Sequence, residues 1–207
     1  MFKTKLLSEN AEALSNTKSK PATVENSEES ENKLYFYSIV DDDECFNLNK
    51  QIVETDKKLQ KKKFELELNY GIEVPDIPID VHIQSPGGYV LTCFGTLDYL
   101  QNTTNPLRTF IDGYAASCGT LMSVVGKERY ISEHGYMLIH QISGAHWGNY
   151  EQLKDEMKNS TELMNRILKI YEKHARIPKK KIKDILKHDL WWDAKTCLEY
   201  GLVDEII

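Results

Sequence analysis

No stretch of this chain reaches about 18 consecutive apolar residues, and the N-terminus MFKTKLLSENAEALSNTKSK lacks an apolar core followed by a small-residue cleavage site. Both absences argue against a membrane span or a secretory leader. Cysteine is scarce. Cys45, Cys93, Cys118 and Cys197 stand without C-x-x-C spacing, so neither a zinc site nor a disulfide framework is indicated, and a reducing compartment fits. The sequence has no G-x-x-x-x-G-K-[ST] phosphate loop. Nor does it have an excess of positive charge: 32 acidic against 26 basic residues give a formal net charge of -6, which disfavours a nucleic-acid partner. The densest basic run, PKKKIKDILK (178 to 187), is interleaved with isoleucines and reads as the solvated face of an amphipathic helix. A cytoplasmic protein with no membrane association, metal or organic cofactor is the expectation.

What remains is an ordinary globular inventory. With 207 residues and 41 % hydrophobic content, the chain can bury the core of one domain of good size. Residues 1–33 are rich in Ser, Glu, Asn and Lys and cannot bury enough surface to offset ordering entropy, so a disordered tail or propeptide is expected there, with the folded domain spanning 34–207. KLYFYSIV (33 to 40) reads as a strand, and the DDDECFNLNKQIVETDKKLQ that follows as a helix with an acidic first turn. KFELELNY (63 to 70) alternates Phe64, Leu66, Leu68 and Tyr70 with polar residues, the period of a half-exposed strand. From there strands and helices alternate: IDVHIQ, then a helix from Tyr89, LRTFIDG, a small-residue helix over AASCGTLMSVVG, and two strands ERYIS and YMLIH. A long helix follows, capped by Asn149 with Gln152 three residues on. This order predicts an α/β fold with a mostly parallel sheet, helices on its faces and ligand sites at the strand carboxyl ends.

Two glycine-containing turns follow apparent strands directly, SPGG (85 to 88) and DGYAASCG (112 to 119). Glycine there permits a close approach of two backbones, and the helix behind each turn aims free N–H groups into the same space. Such a place can hold an oxyanion, or it can be a pair of tight connections. His140 ends an apolar strand, where a histidine is commonly structural; it gains a catalytic meaning if a serine and an acid join it. Ser117 lies upstream, and Asp184, Asp189 and Asp193 lie near the C-terminus. A Ser-His-Asp set would need His140 to take the serine proton while a buried carboxylate fixes the imidazole tautomer.

SPGG at 85, GYAASCGT at 113, MLIHQ at 137 and HDLWWDAKTCLEYGLVDEII at 188 stand in the order and near the spacing of ClpP, the proteolytic subunit of the Clp protease, and the chain resembles that family over about residues 34 to 207. The resemblance implies a ClpP/crotonase-type fold of repeated β-β-α units with a long protruding handle helix. It implies Ser117 as nucleophile, His140 as general base and Asp189 as orienting acid. Asp184 falls inside an amphipathic helix and Asp193 at the N-cap of the last helix, both structural positions. The backbone N–H groups of Gly88 and Cys118 correspond to the family's oxyanion hole, and Gly87 to a position where an extended substrate strand adds by main-chain hydrogen bonds. The implied partners are unfolded polypeptide substrates, further copies of the chain in homo-oligomeric stacked rings, and an AAA+ unfoldase that supplies ATP hydrolysis. The sequence departs from the family pattern at Ile142, where proline is usual, at HARIP (174 to 178), and at KKKFELELNYGIEVPD (61 to 76), which reads as an insertion.

Other readings keep parts of this pattern. A noncatalytic or regulatory ring subunit would keep the fold, and a virus-borne capsid-maturation protease would share the chemistry. A crotonase-type acyl-CoA enzyme shares the two-turn oxyanion site without requiring Ser117 and His140 together. A serine–lysine peptidase would replace His140. Cys118, beside Ser117, is an alternative nucleophile.

Overall fold

The structure is a computed structural model that describes residues 31–207, so the tail expected over residues 1–33 lies, apart from its last three residues, outside the described part. β1 (Lys33–Phe36) is followed by α1 (Asp42–Tyr70), a helix of 29 residues whose N-cap Asp41 accepts a hydrogen bond from Glu44 N and whose first turn carries Asp42, Asp43 and Glu44. Acids there complement the positive end of the helix dipole. Then come β2 (Ile79–Ser85), α2 (Val90–Gln101), β3 (Leu107–Ala116), α3 (Cys118–Val124), β4 (Glu128–Ile131), β5 (Tyr136–Leu138), α4 (Tyr150–His174), α5 (Lys179–Ile185), β6 (Trp191–Asp193), α6 (Ala194–Glu199) and β7 (Glu205–Ile206).

Five strands form a parallel path in the order β1-β2-β3-β4-β7. β2 and the first half of β3 sit in the middle of it, which is why Ile79, Val81, Ile83, Leu107 and Ile111 are buried almost without a break. Asp80 on β2 is buried as well, and Arg108 on β3 grips it with two hydrogen bonds of 2.7 and 2.8 Å, so this buried carboxylate has its charge matched. α1 and α2 pack over the sheet through Cys45, Leu48, Ile52, Phe94, Leu97 and Leu100.

β3 is long enough to serve two neighbours. Its first half pairs with β4, from Arg108↔Glu128 to Ile111↔Ile131, and its last three residues pair with β5, from Tyr114↔Tyr136 to Ala116↔Leu138. β6 returns antiparallel along β5. This fork at the carboxyl end of β3 brings the candidate residues together.

The alternation at 63–70 predicts a strand, but those residues are the last two turns of α1. Lys, Glu and Leu are good helix formers, Lys61–Glu65 and Lys63–Glu67 pair at i,i+4, and extending an existing helix avoids the cost of a new nucleus. Phe64, Leu68 and Tyr70 consequently remain exposed. The segment 61 to 76, read from the sequence as an insertion, is thus mainly an extension of this helix and the irregular stretch behind it. The sequence lines up Leu153, Met157, Met164, Ile167 and Tyr171 along α4, and with Trp147 this surplus of apolar side chains suggests burial against another copy, but the stripe divides: Ile167 and Tyr171 are buried in this chain's own core, whereas Trp147, Tyr150, Leu153 and Met157, at and before its N-terminal end, face outward.

Candidate active site

The fork in the sheet determines the geometry. Ser117 follows β3 immediately, and its N–H donates to Leu138 O of β5 at 2.8 Å. His140 lies two residues beyond β5, so the parallel register of Ala116 with Leu138 carries it alongside Cys118. The antiparallel register of Leu138 with Trp191, continued outward by two residues, sets His140 opposite Asp189. The side chains meet there: His140 Nδ1 is 3.0 Å from Asp189 Oδ1. A carboxylate only accepts, so the imidazole donates from Nδ1 and leaves Nε2 with a free lone pair.

Asp189 differs from expectation in one respect. A buried carboxylate is expected to orient the histidine, but the Asp189 side chain is 76 % exposed while that of His140 is 21 % exposed. Asp189 lies in the short link between α5 and β6, where Lys187, His188 and Leu190 are exposed too, and none of the described elements covers it. Asp184 sits on α5 and pairs with Lys187, and Asp193 caps α6 by accepting from Thr196 N, so neither reaches the histidine. In this conformation the Ser117 hydroxyl is not hydrogen-bonded to His140, whose side-chain bond is to Asp189.

Ser117 occupies the turn from β3 into α3 with φ 52° and ψ -123°, the non-glycine residue with positive φ among those described. A Cβ is disfavoured in that region, so the surroundings must hold the conformation in place. Gly87 and Gly88 are part of how. A Cβ on Gly87 would lie 2.6 Å from Ser117 Cβ and 2.8 Å from Ala116 O, and one on Gly88 would lie 2.1 Å from Val40 O. Only glycine lets these three backbone segments close on one another.

The same closure aims two amide groups. Val40 N–H donates to Gly87 O and Tyr89 N–H donates to Val40 O, each at 2.8 Å, bracketing Gly88 on the Val40 side. Gly88 therefore turns its own polar groups the other way, where its carbonyl accepts from Cys118 Sγ at 3.3 Å. Cys118 is the first residue of α3, and its N–H has no partner within the helix. A hydrogen bond from the neighbouring Cys93 thiol lowers the Cys118 pKa from its ordinary value. The Cys118 residue is nevertheless only 1 % exposed, and its thiol is engaged by the Gly88 carbonyl. Val40, Leu138 and Thr120 were not singled out by sequence, and Tyr171 stood out only as an apolar member of the long helix's stripe; they hold the site through main-chain bonds and a long-range contact that leave no local motif. Among the described residues no group of three or more His, Cys, Asp or Glu side chains is placed to hold a metal ion, and no helix is long and apolar enough to cross a membrane.

Comparison with known proteins bears on the fold and the family. The ATP-dependent Clp protease proteolytic subunit 1 of Protochlamydia amoebophila is 31 % identical over 137 residues, which cover 64 % of this chain and 66 % of that protein, just under two thirds of its length. A solved structure of a ClpP1 mutant from Listeria monocytogenes has the same fold, with a TM-score of 0.71 over 86 % of this chain and 91 % of that one at 18 % identity. The family model described as Clp protease matches residues 29–207, which include all of the described residues, and on that match the chain belongs to the Clp protease family.

Proposed function

We propose that the chain is a serine endopeptidase of the Clp proteolytic-subunit type that hydrolyses peptide bonds of unfolded polypeptides through Ser117, His140 and Asp189. The observation that carries this reading is the pairing of His140 Nδ1 with Asp189 Oδ1 beside a serine held at positive φ in a strand-to-helix turn. With Nδ1 engaged, His140 Nε2 accepts the Ser117 proton as Oγ attacks the scissile carbonyl carbon. The carbonyl oxygen becomes an oxyanion, for which the N–H groups of Gly88 and Cys118 are the donors. Collapse of the tetrahedral species breaks the C–N bond, and His140 passes its proton to the leaving amine. Water, deprotonated by the same nitrogen, then releases the acyl group from Ser117. Catalytic hydrogen bonds commonly tighten when substrate binds, so the open step from Ser117 to His140 closes in the Michaelis complex.

A substrate strand would lie along Gly87 and the SPGG turn and bind through main-chain hydrogen bonds, a mode tolerant of sequence and suited to unfolded chains. The outward side chains Trp147, Leu153 and Met157 support burial against further copies in stacked rings. An AAA+ unfoldase would deliver substrate, and the cytoplasm is the compartment that fits four free cysteines. The test is labelling of the purified chain by a serine-directed fluorophosphonate, read by intact mass beside a fluorogenic peptide assay. Labelling and turnover that vanish in Ser117→Ala support the reading. An oligomeric, well-folded wild type that neither labels nor cleaves in the presence of an unfoldase overturns it in favour of a noncatalytic ring subunit.

A further inference from the structure

The strained turn at Ser117 is braced from beneath. Ser117 O accepts two hydrogen bonds from Thr120, from its N–H at 3.0 Å and its Oγ1 at 2.6 Å. A carbonyl only accepts, so the Thr120 hydroxyl proton is committed to it and the Thr120 oxygen is left as an acceptor. Tyr171 OH lies 2.6 Å from that oxygen and completes the chain Tyr171 to Thr120 to Ser117. Thr120 and Tyr171 are both buried, and Tyr171 comes from α4, which the sequence places 51 residues away. Phenylalanine would fill the same volume without bringing a polar group into the core, so the hydroxyl needs this partner.

The consequence lies in one peptide plane. Ser117 C=O and Cys118 N–H belong to the same planar unit and point in opposite directions, so whatever fixes the carbonyl also fixes the N–H. Pulled downward by Thr120, the Ser117 carbonyl aims the Cys118 N–H upward into the space shared with Gly88. We propose that Tyr171 is a positioning residue which, through Thr120, sets the aim of the Cys118 oxyanion donor and so couples α4 to the rate of the chemical step. It touches neither substrate nor nucleophile. The inference rests on the function proposed above, because it takes Ser117 as the attacking group.

The experiment compares full-length wild type with Thr120→Val, Thr120→Ser, Tyr171→Phe and the Thr120→Val/Tyr171→Phe double variant. Peptide-hydrolysis kcat and KM are measured alongside the fluorophosphonate inactivation rate constant and its apparent Ki, with melting temperatures recorded for each variant. A misaimed oxyanion donor slows bond formation and leaves ground-state binding alone. Thr120→Val is expected to lower kcat and the inactivation rate about tenfold and Tyr171→Phe about threefold, with KM and Ki within about twofold of wild type. Because Tyr171 acts through Thr120, the double variant is no slower than Thr120→Val alone, and Thr120→Ser, which keeps the hydroxyl, returns the wild-type rate. Wild-type rates in Tyr171→Phe, losses that multiply in the double variant, or a melting-temperature drop with no kinetic change each overturn the proposal while Ser117 still labels. If wild type does not label at all, the proposed function itself fails and this inference with it.

Discussion

His140 Nδ1 lies 3.0 Å from Asp189 Oδ1, across 49 residues of chain, because β5 and β6 run antiparallel in a register that sets the two opposite one another. The bond selects the imidazole tautomer with a basic Nε2. Asp189→Asn would offer an amide N–H to Nδ1 and so favour the wrong tautomer. In a buried serine-protease triad this change costs about 10⁴-fold in kcat. Asp189 is 76 % exposed, and water can take over part of its role, so a loss between about 10² and 10⁴ is expected, in kcat with KM little changed. Steady-state hydrolysis of a fluorogenic peptide decides it; an unchanged kcat would mean that Asp189 does not orient the base.

The glycine closure predicts opposite outcomes at neighbouring positions. Gly88→Ala drives a Cβ to 2.1 Å from Val40 O, and Gly87→Ala drives one into Ser117 Cβ, so each variant should lose about 2 kcal/mol or more of stability together with most of its fluorophosphonate labelling. Cys118→Ala keeps the backbone donor and should label within about threefold of wild type. Equilibrium unfolding and labelling time courses on the three variants test both halves.

Acid should weaken the fold in two stages. His174 is held below the ordinary histidine value by burial, and by the positive charges of Lys173 and Arg129, while its Nε2 faces the Gln101 amide at 3.2 Å. The unfolded chain therefore takes up this proton first, and stability falls as pH drops below about 6.5. Asp204 is held below the ordinary aspartate value by the hydrogen bonds and charge of Arg129, which donates to its two oxygens at 2.9 and 2.6 Å. Its contribution is present above the unfolded pKa and disappears as pH falls through the lower folded one. Urea titrations at pH 7, 5 and 3 should show both losses. His174→Gln flattens the first and Asp204→Asn the second, the latter modestly because the carboxylate is 43 % exposed.

Assembly should depend on the outward end of α4. Trp147, Tyr150, Leu153 and Met157 are large apolar side chains that stand exposed within eleven residues of one another, the kind of surface that an interface covers. Leu153→Lys combined with Met157→Lys is expected to shift the chain to smaller species in size-exclusion chromatography with light scattering, without changing its circular dichroism. An undiminished particle mass would show that assembly does not use this end of α4.

Most of the alternation of strand and helix was legible in the sequence because buried parallel strands such as IDVHIQ and capped helices such as the one at Asn149 carry strong local signals. The error at 63–70 has a physical source: Phe64, Leu66, Leu68 and Tyr70 alternate, but whether an alternating segment pairs depends on a neighbouring strand, which composition does not disclose. Ser117, His140 and Asp189 were identifiable as candidates from residue type and family pattern, and the meeting of the last two is visible in the structure. The exposure of Asp189 was not, since it depends on which loops fail to cover it. Thr120 and Tyr171 were invisible for the same kind of reason: a serine-rich helix start and a tyrosine on an apolar stripe each have ordinary local explanations, and only the packing of α4 against α3 joins them.

The backbone of Ser117 leaves the chain with two optima that do not coincide. A non-glycine residue in its φ and ψ costs about 1–3 kcal/mol, more than the roughly 0.4–1 kcal/mol that glycine forfeits through its freer unfolded state. Ser117→Gly should therefore melt at a higher temperature than wild type while being inert to the fluorophosphonate. Durability alone therefore favours glycine at this position, and the chemistry proposed for the hydroxyl is what would offset that preference.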